Sequence, residues 1–175
     1  QLDAALNSLQ RGQALALAEE MHDIANECQV RMAEVQALKG DCAQALAMLV
    51  PAQTALQASA HHWALATLFL LRAQCQSELG QLNEAHTAIA QARRAAERAN
   101  AKHIALRIER ENARIAEKAD HLAEALVSMK AVARLQDSLA RGSSAHLLHH
   151  LQILAEQGGA PALGSGLAGR TAVAR

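Results

Sequence analysis

Apolar residues recur along this chain at steps of three and four, and the positions between them are polar. Ala45, Leu49 and Ala52 follow that rhythm, and so do Ala85, Ile89 and Ala92. This is the spacing of one face of an α-helix. It predicts eight helices, at about 2–19, 22–39, 42–58, 62–79, 82–99, 102–119, 121–140 and 143–157. Gly40 and Gly80 stand where two of them should stop, because glycine tolerates the left-handed conformation of a helix end.

A longer period lies over the helical one. Gly40-Asp41 and Gly80-Gln81 are 40 residues apart, and the same step leads to Asp120-His121. Ala45, Ala85 and Ala125 keep this spacing, as do Leu49, Ile89 and Met129, and Ala52, Ala92 and Val132. The first helix of each unit carries its own series: Ala33, Ala73 and Ala113; Cys28, Leu68 and Ile108; Val35, Cys75 and Ile115. Three periods before Leu122–Met129 lies Leu2–Leu9, which reads alike, so the chain opens on the second helix of a unit. A two-helix unit of this kind has no way to bury its apolar face alone, and stacking supplies the partner. The expected fold is all-α: a right-handed superhelix of antiparallel helix pairs with a concave groove, filling residues 1–157. Residues 158–175, rich in Gly, Ala and Ser, are expected to be a linker or tail.

Composition narrows the picture further. Hydrophobic residues make up 51% of the chain, mostly Ala and Leu, with one Trp, one Phe and no Tyr. Small side chains suit close-packed helices, whereas sheets favour β-branched and aromatic ones. Seventeen basic and seventeen acidic residues cancel, which leaves no global positive field for nucleic acid. No apolar run reaches the roughly 18 residues of a membrane span, and no basic-then-apolar leader opens the chain. Cys28, Cys42 and Cys75 are an odd number without CxxC spacing, each inside a helical pattern. They read as reduced core positions, and together these features point to a cytoplasmic protein.

The second-helix pattern Gly80-x-Leu82-x-x-Ala85-x-x-x-Ile89-x-x-Ala92 resembles the tetratricopeptide repeat, and Ala33, Ala73 and Ala113 match the small position of that family's first helix. The resemblance covers residues 2–140. It departs from the family in its 40-residue period, where 34 is usual, and in lacking most large aromatic positions, Phe69 being the nearest exception. Forty-residue variants occur in bacterial signalling proteins and in large LuxR-type transcription activators. A second likeness begins at Arg134–Leu139 and continues through Ser144-Ala145, Leu148 and Leu151-Gln152, which look like the last repeat of bacterial sensors. The tail from Leu163 to Arg175 resembles the opening of a GGDEF (diguanylate cyclase) domain, with an extra residue before Gly166 and Gly169 where Asn is expected. No catalytic part of such a domain falls within these residues.

The tetratricopeptide likeness implies that the first helix of each unit lines the groove. The lining positions would be Glu27, Val30 and Glu34, then Thr67, Leu70 and Gln74, then Arg107, Arg110 and Arg114. Such a groove would run from acidic through apolar to basic. The three arginines lie at i, i+3 and i+7, and guanidinium groups offer planar paired donors for carboxylate or phosphate. An acidic peptide, a free C-terminus or a phosphorylated partner would fit them. The alternative is a solvated face on which Arg107 pairs with Glu111 and Arg114 with Glu117, at about 0.2–0.5 kcal/mol each.

Other constellations are weaker. His146, His149 and His150 share a helix and His61-His62 are adjacent, but converging carboxylates or thiols are missing nearby. The nine histidines therefore read as surface or helix-end residues, with no metal site and no cofactor. Trp63 is expected to pack between adjacent repeats. No Ser/His/Asp set, P-loop or carboxylate pair emerges. Helix 143–157 carries Leu147, Leu148, Leu151, Ile153 and Leu154, so it is expected to cap the array, a homodimer through it being the alternative. The expectation is a non-catalytic module that binds a protein or peptide and biases an attached output. The alternatives are a regulatory fragment of a diguanylate cyclase or kinase and the ligand-sensing repeats of a LuxR-type activator.

Overall fold

A computed structural model describes residues 1–158, with side chains described through Gly142 and at Ile153. The chain divides into two compact units, Gln1–Leu139 and Ala140–Arg175, and the helical stack belongs to the first. The described residues are all-α. The helices are α1 (Leu2–Ala18), α2 (His22–Leu38), α3 (Cys42–Ala58), α4 (His62–Glu78), α5 (Leu82–Arg98), α6 (Lys102–Lys118) and α7 (Leu122–Gly158).

Each of α1 to α6 is 17 residues long, and the chain reverses after every one. The reversals recur every twenty residues, at Glu20, Gly40, Ala60, Gly80, Asn100 and Asp120, each with positive φ between 49° and 88°. The residue after each of these closes the same bond to the helix it leaves. Met21 N–H donates to Ala16 O, Asp41 to Gln36, His61 to Leu56, Gln81 to Gln76, Ala101 to Ala96 and His121 to Ala116, at 2.7–3.0 Å. This i→i−5 bond is that of a Schellman ending and satisfies carbonyls that the helix end leaves free. Asp41 adds a side-chain cap, accepting from Gln44 N–H at 3.0 Å.

Consecutive helices from α1 to α6 pack against one another, and α4 also packs against both α2 and α6. Asn112 ties α6 to α7, donating to Ser128 Oγ at 2.8 Å and to Glu124 Oε1 at 3.2 Å. The first helices α2, α4 and α6 thus stand side by side as one layer. The second helices α3 and α5 lie behind them and, among the described residues, do not meet each other. The centre of the stack is α4, where every residue from Ala64 to Leu71 is buried. Leu49, Leu56, Leu68, Leu70, Ile89, Ile108 and Ile115 form the large side chains of the core. Each contributes about 1.5–3 kcal/mol of burial.

The 40-residue register is visible in the burial. Ala45, Ala85 and Ala125 are all buried, as are Ala33, Ala73 and Ala113. One series breaks. Leu49 and Ile89 are 0% and 1% exposed, yet Met129 is 50% exposed and shares its helix face with the exposed Leu122 and Leu126. The earlier two are covered by the unit that follows, and Met129 lies on the last helix of the stack.

One expectation is corrected. The two helices predicted at 121–140 and 143–157 are a single helix, α7, so no separate capping helix exists at 143–157. Gly142 lies between the two predicted spans, but one glycine inside a helix costs only about 1 kcal/mol and no proline is there to remove a hydrogen bond. Conversely, Pro51 sits inside α3 without ending it, as the sequence boundaries anticipated. The predicted tail, from Gly159 onward, lies outside the described residues.

Candidate functional site

The layer formed by α2, α4 and α6 carries most of the residues singled out in the sequence. Glu34 on α2, Gln74 on α4 and Arg107 on α6 line a common pocket of about 300 Å³. Its walls include Ala37, Leu38, Leu71 and the thiols Cys42 and Cys75, and Glu78 completes the polar rim. Arg107 Nη2 donates to Glu34 Oε1 at 3.4 Å, across 73 residues of sequence and over the intervening α4. The groove therefore does not grade from an acidic end to a basic one, because its two ends touch.

Next to this bridge lies a tighter cluster. Arg114 donates to Glu111 Oε1 from Nε at 3.0 Å and from Nη2 at 2.7 Å, and to Glu78 Oε1 from Nη1 at 2.6 Å. Lys118 also donates to Glu78, at 3.2 Å, and Gln74 Nε2 donates to Glu111 Oε2 at 3.4 Å. Arg114 and, after it, Lys118 hold the Glu78 carboxyl below its ordinary range. Glu111 in turn raises Arg114, because its carboxylate favours the charged guanidinium. Glu111 is buried, and these donors supply the hydrogen bonds its carboxylate needs. The pairs considered from sequence, Arg107 with Glu111 and Arg114 with Glu117, give way to Arg107–Glu34 and Arg114–Glu78 between units and to a different local pair, Arg114–Glu111. A flat helix surface would leave only i+3 and i+4 neighbours in reach, and the side-by-side first helices bring Glu34 and Glu78 closer.

Three predicted lining residues are corrected. Val30 and Leu70 are each 1% exposed and Thr67 is 5% exposed, so they are buried in the core rather than open to a groove. Thr67 Oγ1 donates to Trp63 O at 3.3 Å, within its own helix. Glu27 is half-buried and does not line the pocket. Arg110 is exposed and makes no ion pair among the described residues. Trp63 stands at the junction of α2 and α4, with the Arg31 guanidinium 5.6 Å from its ring centroid, and is 37% exposed.

Two features were not anticipated. Cys42 and Cys75, from successive helices, are buried neighbours in the pocket wall. Burial, and then hydrogen bonding with Cys42, pushes the Cys75 thiol up to about 12. The second is a cluster of His86, His121 and Glu124 at the α5–α7 corner. Its members are 35 and three residues apart in sequence, which matches neither the 40-residue register nor a metal motif, so no linear signal marks it. His146, His149 and His150 lie among residues whose side chains are not described.

Among the described residues no helix is long and apolar enough to cross a membrane. No family model, curated protein or solved structure matches the chain.

Proposed function

We propose that the chain is a tetratricopeptide-type binding module that takes a peptide segment carrying a carboxylate beside an apolar side chain. The observation that carries this reading is the pocket between α2, α4 and α6. Its walls include the apolar Ala37, Leu38 and Leu71, and its rim carries Arg107 and Gln74 beside Glu34 and Glu78. A volume of about 300 Å³ suits one or two side chains of a peptide rather than a large cofactor. The Arg107–Glu34 bridge is long at 3.4 Å, and the Arg107 side chain is 46% exposed. A surface pair of this kind is worth no more than about 1 kcal/mol, so an incoming carboxylate can replace Glu34 at little cost. Arg110, one turn away and exposed, is a second point of attachment.

The module is itself non-catalytic, uses no cofactor and serves a cytoplasmic signalling protein of bacterial type. Its partner is protein, not nucleic acid or membrane. The GGDEF-like tail and the sensor-like segment at Arg134–Leu139 support an attached output domain, and α7, continuous to Gly158, suits a connector toward it. A homodimer through the terminal helix belongs to the same proposal.

The test is selection from a display library of short peptides, followed by affinity measurement on the Arg110→Glu/Arg114→Glu and Arg107→Glu variants. Selected peptides should be enriched in Asp, Glu or a free C-terminus, and both variants should weaken binding at least about tenfold. Selection of neutral peptides, or equal affinity for the variants, would remove the reading.

A further inference from the structure

We propose that His86, His121 and Glu124 form a binding site for a divalent transition metal of the zinc class, fastening α5 to the start of α7. His86 lies on the first turns of α5, His121 immediately precedes α7 and Glu124 is in the first turn of α7. The turn at Asp120, with its positive φ of 59°, and the His121 N–H bond to Ala116 O at 2.8 Å fix the direction in which α7 leaves. They place His121 and Glu124 on one face, three residues apart, opposite His86.

The three side chains converge. One candidate ligand atom from each lies within 4.8 Å of the other two. His86 Nδ1 is 3.6 Å from Glu124 Oε1, and His121 Nδ1 is 3.9 Å from Glu124 Oε2. The two imidazole centroids are 6.1 Å apart. Zinc bonds of about 2.0–2.2 Å to nitrogen and oxygen set neighbouring ligand atoms of a tetrahedral site about 3.3 Å apart. His86 Nδ1 and His121 Nδ1 face different oxygens of Glu124, so closing to this geometry takes rotation of the carboxylate and of the largely exposed His121 ring together with contraction of both separations.

The donor set fits this chemistry. Two imidazoles and one carboxylate suit zinc, and three protein ligands leave a fourth position for water. An outer partner is already in place, because Asn112 Nδ2 donates to Glu124 Oε1 at 3.2 Å. Asn112 is 1% exposed and is itself held by Ser128, so it orients the carboxylate rigidly. Arg93 is held by Glu109 through two bonds of 2.7 Å and makes no hydrogen bond to Glu124 among the described residues, although the Glu124 charge also favours its charged form. The role is a clamp between the last two units of the stack, independent of the groove on the α2, α4 and α6 layer.

The full chain, stripped with chelator, should be titrated with Zn2+ by calorimetry and with Co2+ by visible absorption. One ion per chain should bind through this site, with the intense visible bands of tetrahedral Co2+. His86→Ala, His121→Ala and Glu124→Gln should each weaken Zn2+ binding at least tenfold, whereas His149→Ala, in the unrelated histidine group, should not. Glu124→Gln changes a partly exposed side chain conservatively, so its affinity is interpretable even if His86→Ala loses helicity. Zn2+ should also raise the thermal midpoint of the parent chain and not that of Glu124→Gln. Absence of binding, unchanged affinity in Glu124→Gln and His121→Ala, or loss confined to His149→Ala would overturn the proposal.

Discussion

Truncating one repeat position in two different units separates stacking from local helix preference. Leu49 and Met129 occupy the same place in the 40-residue register, but they are 0% and 50% exposed. Leu49→Ala removes a fully buried side chain and leaves a cavity, a change that costs about 2–5 kcal/mol. Met129→Ala removes a half-exposed side chain whose full burial would contribute about 1.5–3 kcal/mol, and solvent fills the space it leaves. Its expected cost is about 1 kcal/mol. Both residues are in helix interiors and alanine is the better helix former, so intrinsic propensity favours both variants slightly and does not separate them. Urea unfolding followed by far-ultraviolet circular dichroism measures the difference, with the slope compared between variants because stacked repeats need not unfold in one step. Leu49→Ala should lower stability by at least 1 kcal/mol more than Met129→Ala. Equal losses at the two positions would mean that the following unit does not cover Leu49, and the stacked arrangement would be refuted.

The six turns give a second set of outcomes. Gly40 has a φ of 88° and nothing within 4 Å of an added Cβ, so Gly40→Ala should destabilise by about 1 kcal/mol through backbone strain alone. Ala60, at a φ of 53°, should respond in the opposite sense: Ala60→Gly should stabilise by roughly 0.5 kcal/mol, after the entropy lost by glycine on folding is subtracted. Thermal melts of both variants check the signs. The buried Cys75 thiol gives a pH dependence. Its folded value of about 12 lies above the 9.0 of an unperturbed thiol, so between these values the unfolded chain releases a proton that the folded chain keeps. Stability from this group is complete below pH 9 and falls as pH rises toward 12. Chemical unfolding should show a flatter alkaline decline in Cys75→Ala, and native Cys75 should resist alkylation at pH 8 until the chain is unfolded.

Much of the fold was legible because its signals are local and repeated. Six helices match their predicted spans to within about one residue at each end. The register of Ala45 and Ala85, and of Ala33 and Ala73, carried the stacking, since small residues recur where helices approach closely. Turn chemistry was legible only at Gly40 and Gly80. Glu20, Ala60, Asn100 and Asp120 adopt the same left-handed conformation without the residue that advertises it, so their turn geometry went unread although the helix boundaries around them were placed. The sequence expectation divided α7 near Gly142, where a lone glycine is only a modest penalty inside a helix. In the site, helix periodicity put Arg107, Arg110 and Arg114 on one face. It could not say that Glu34 and Glu78, 73 and 36 residues away from Arg107 and Arg114, would reach them. Nor could it show that Val30 and Leu70 are buried, because a position toward the groove and a position toward the core differ by little rotation.

The groove is tested most directly at the Arg107 side chain. Its Nε–H resonance can be followed by NMR during titration with a short peptide that ends in Leu-Glu and bears a free carboxylate. An amidated peptide with Gln in place of Glu serves as the comparison. Engagement of the pocket requires the Arg107 signal to shift saturably with the acidic peptide, in step with backbone signals of Leu71 and Gln74, and to stay in place with the neutral one. An Arg107 signal that does not move, or that moves equally for both peptides, contradicts a carboxylate-binding groove between α2, α4 and α6.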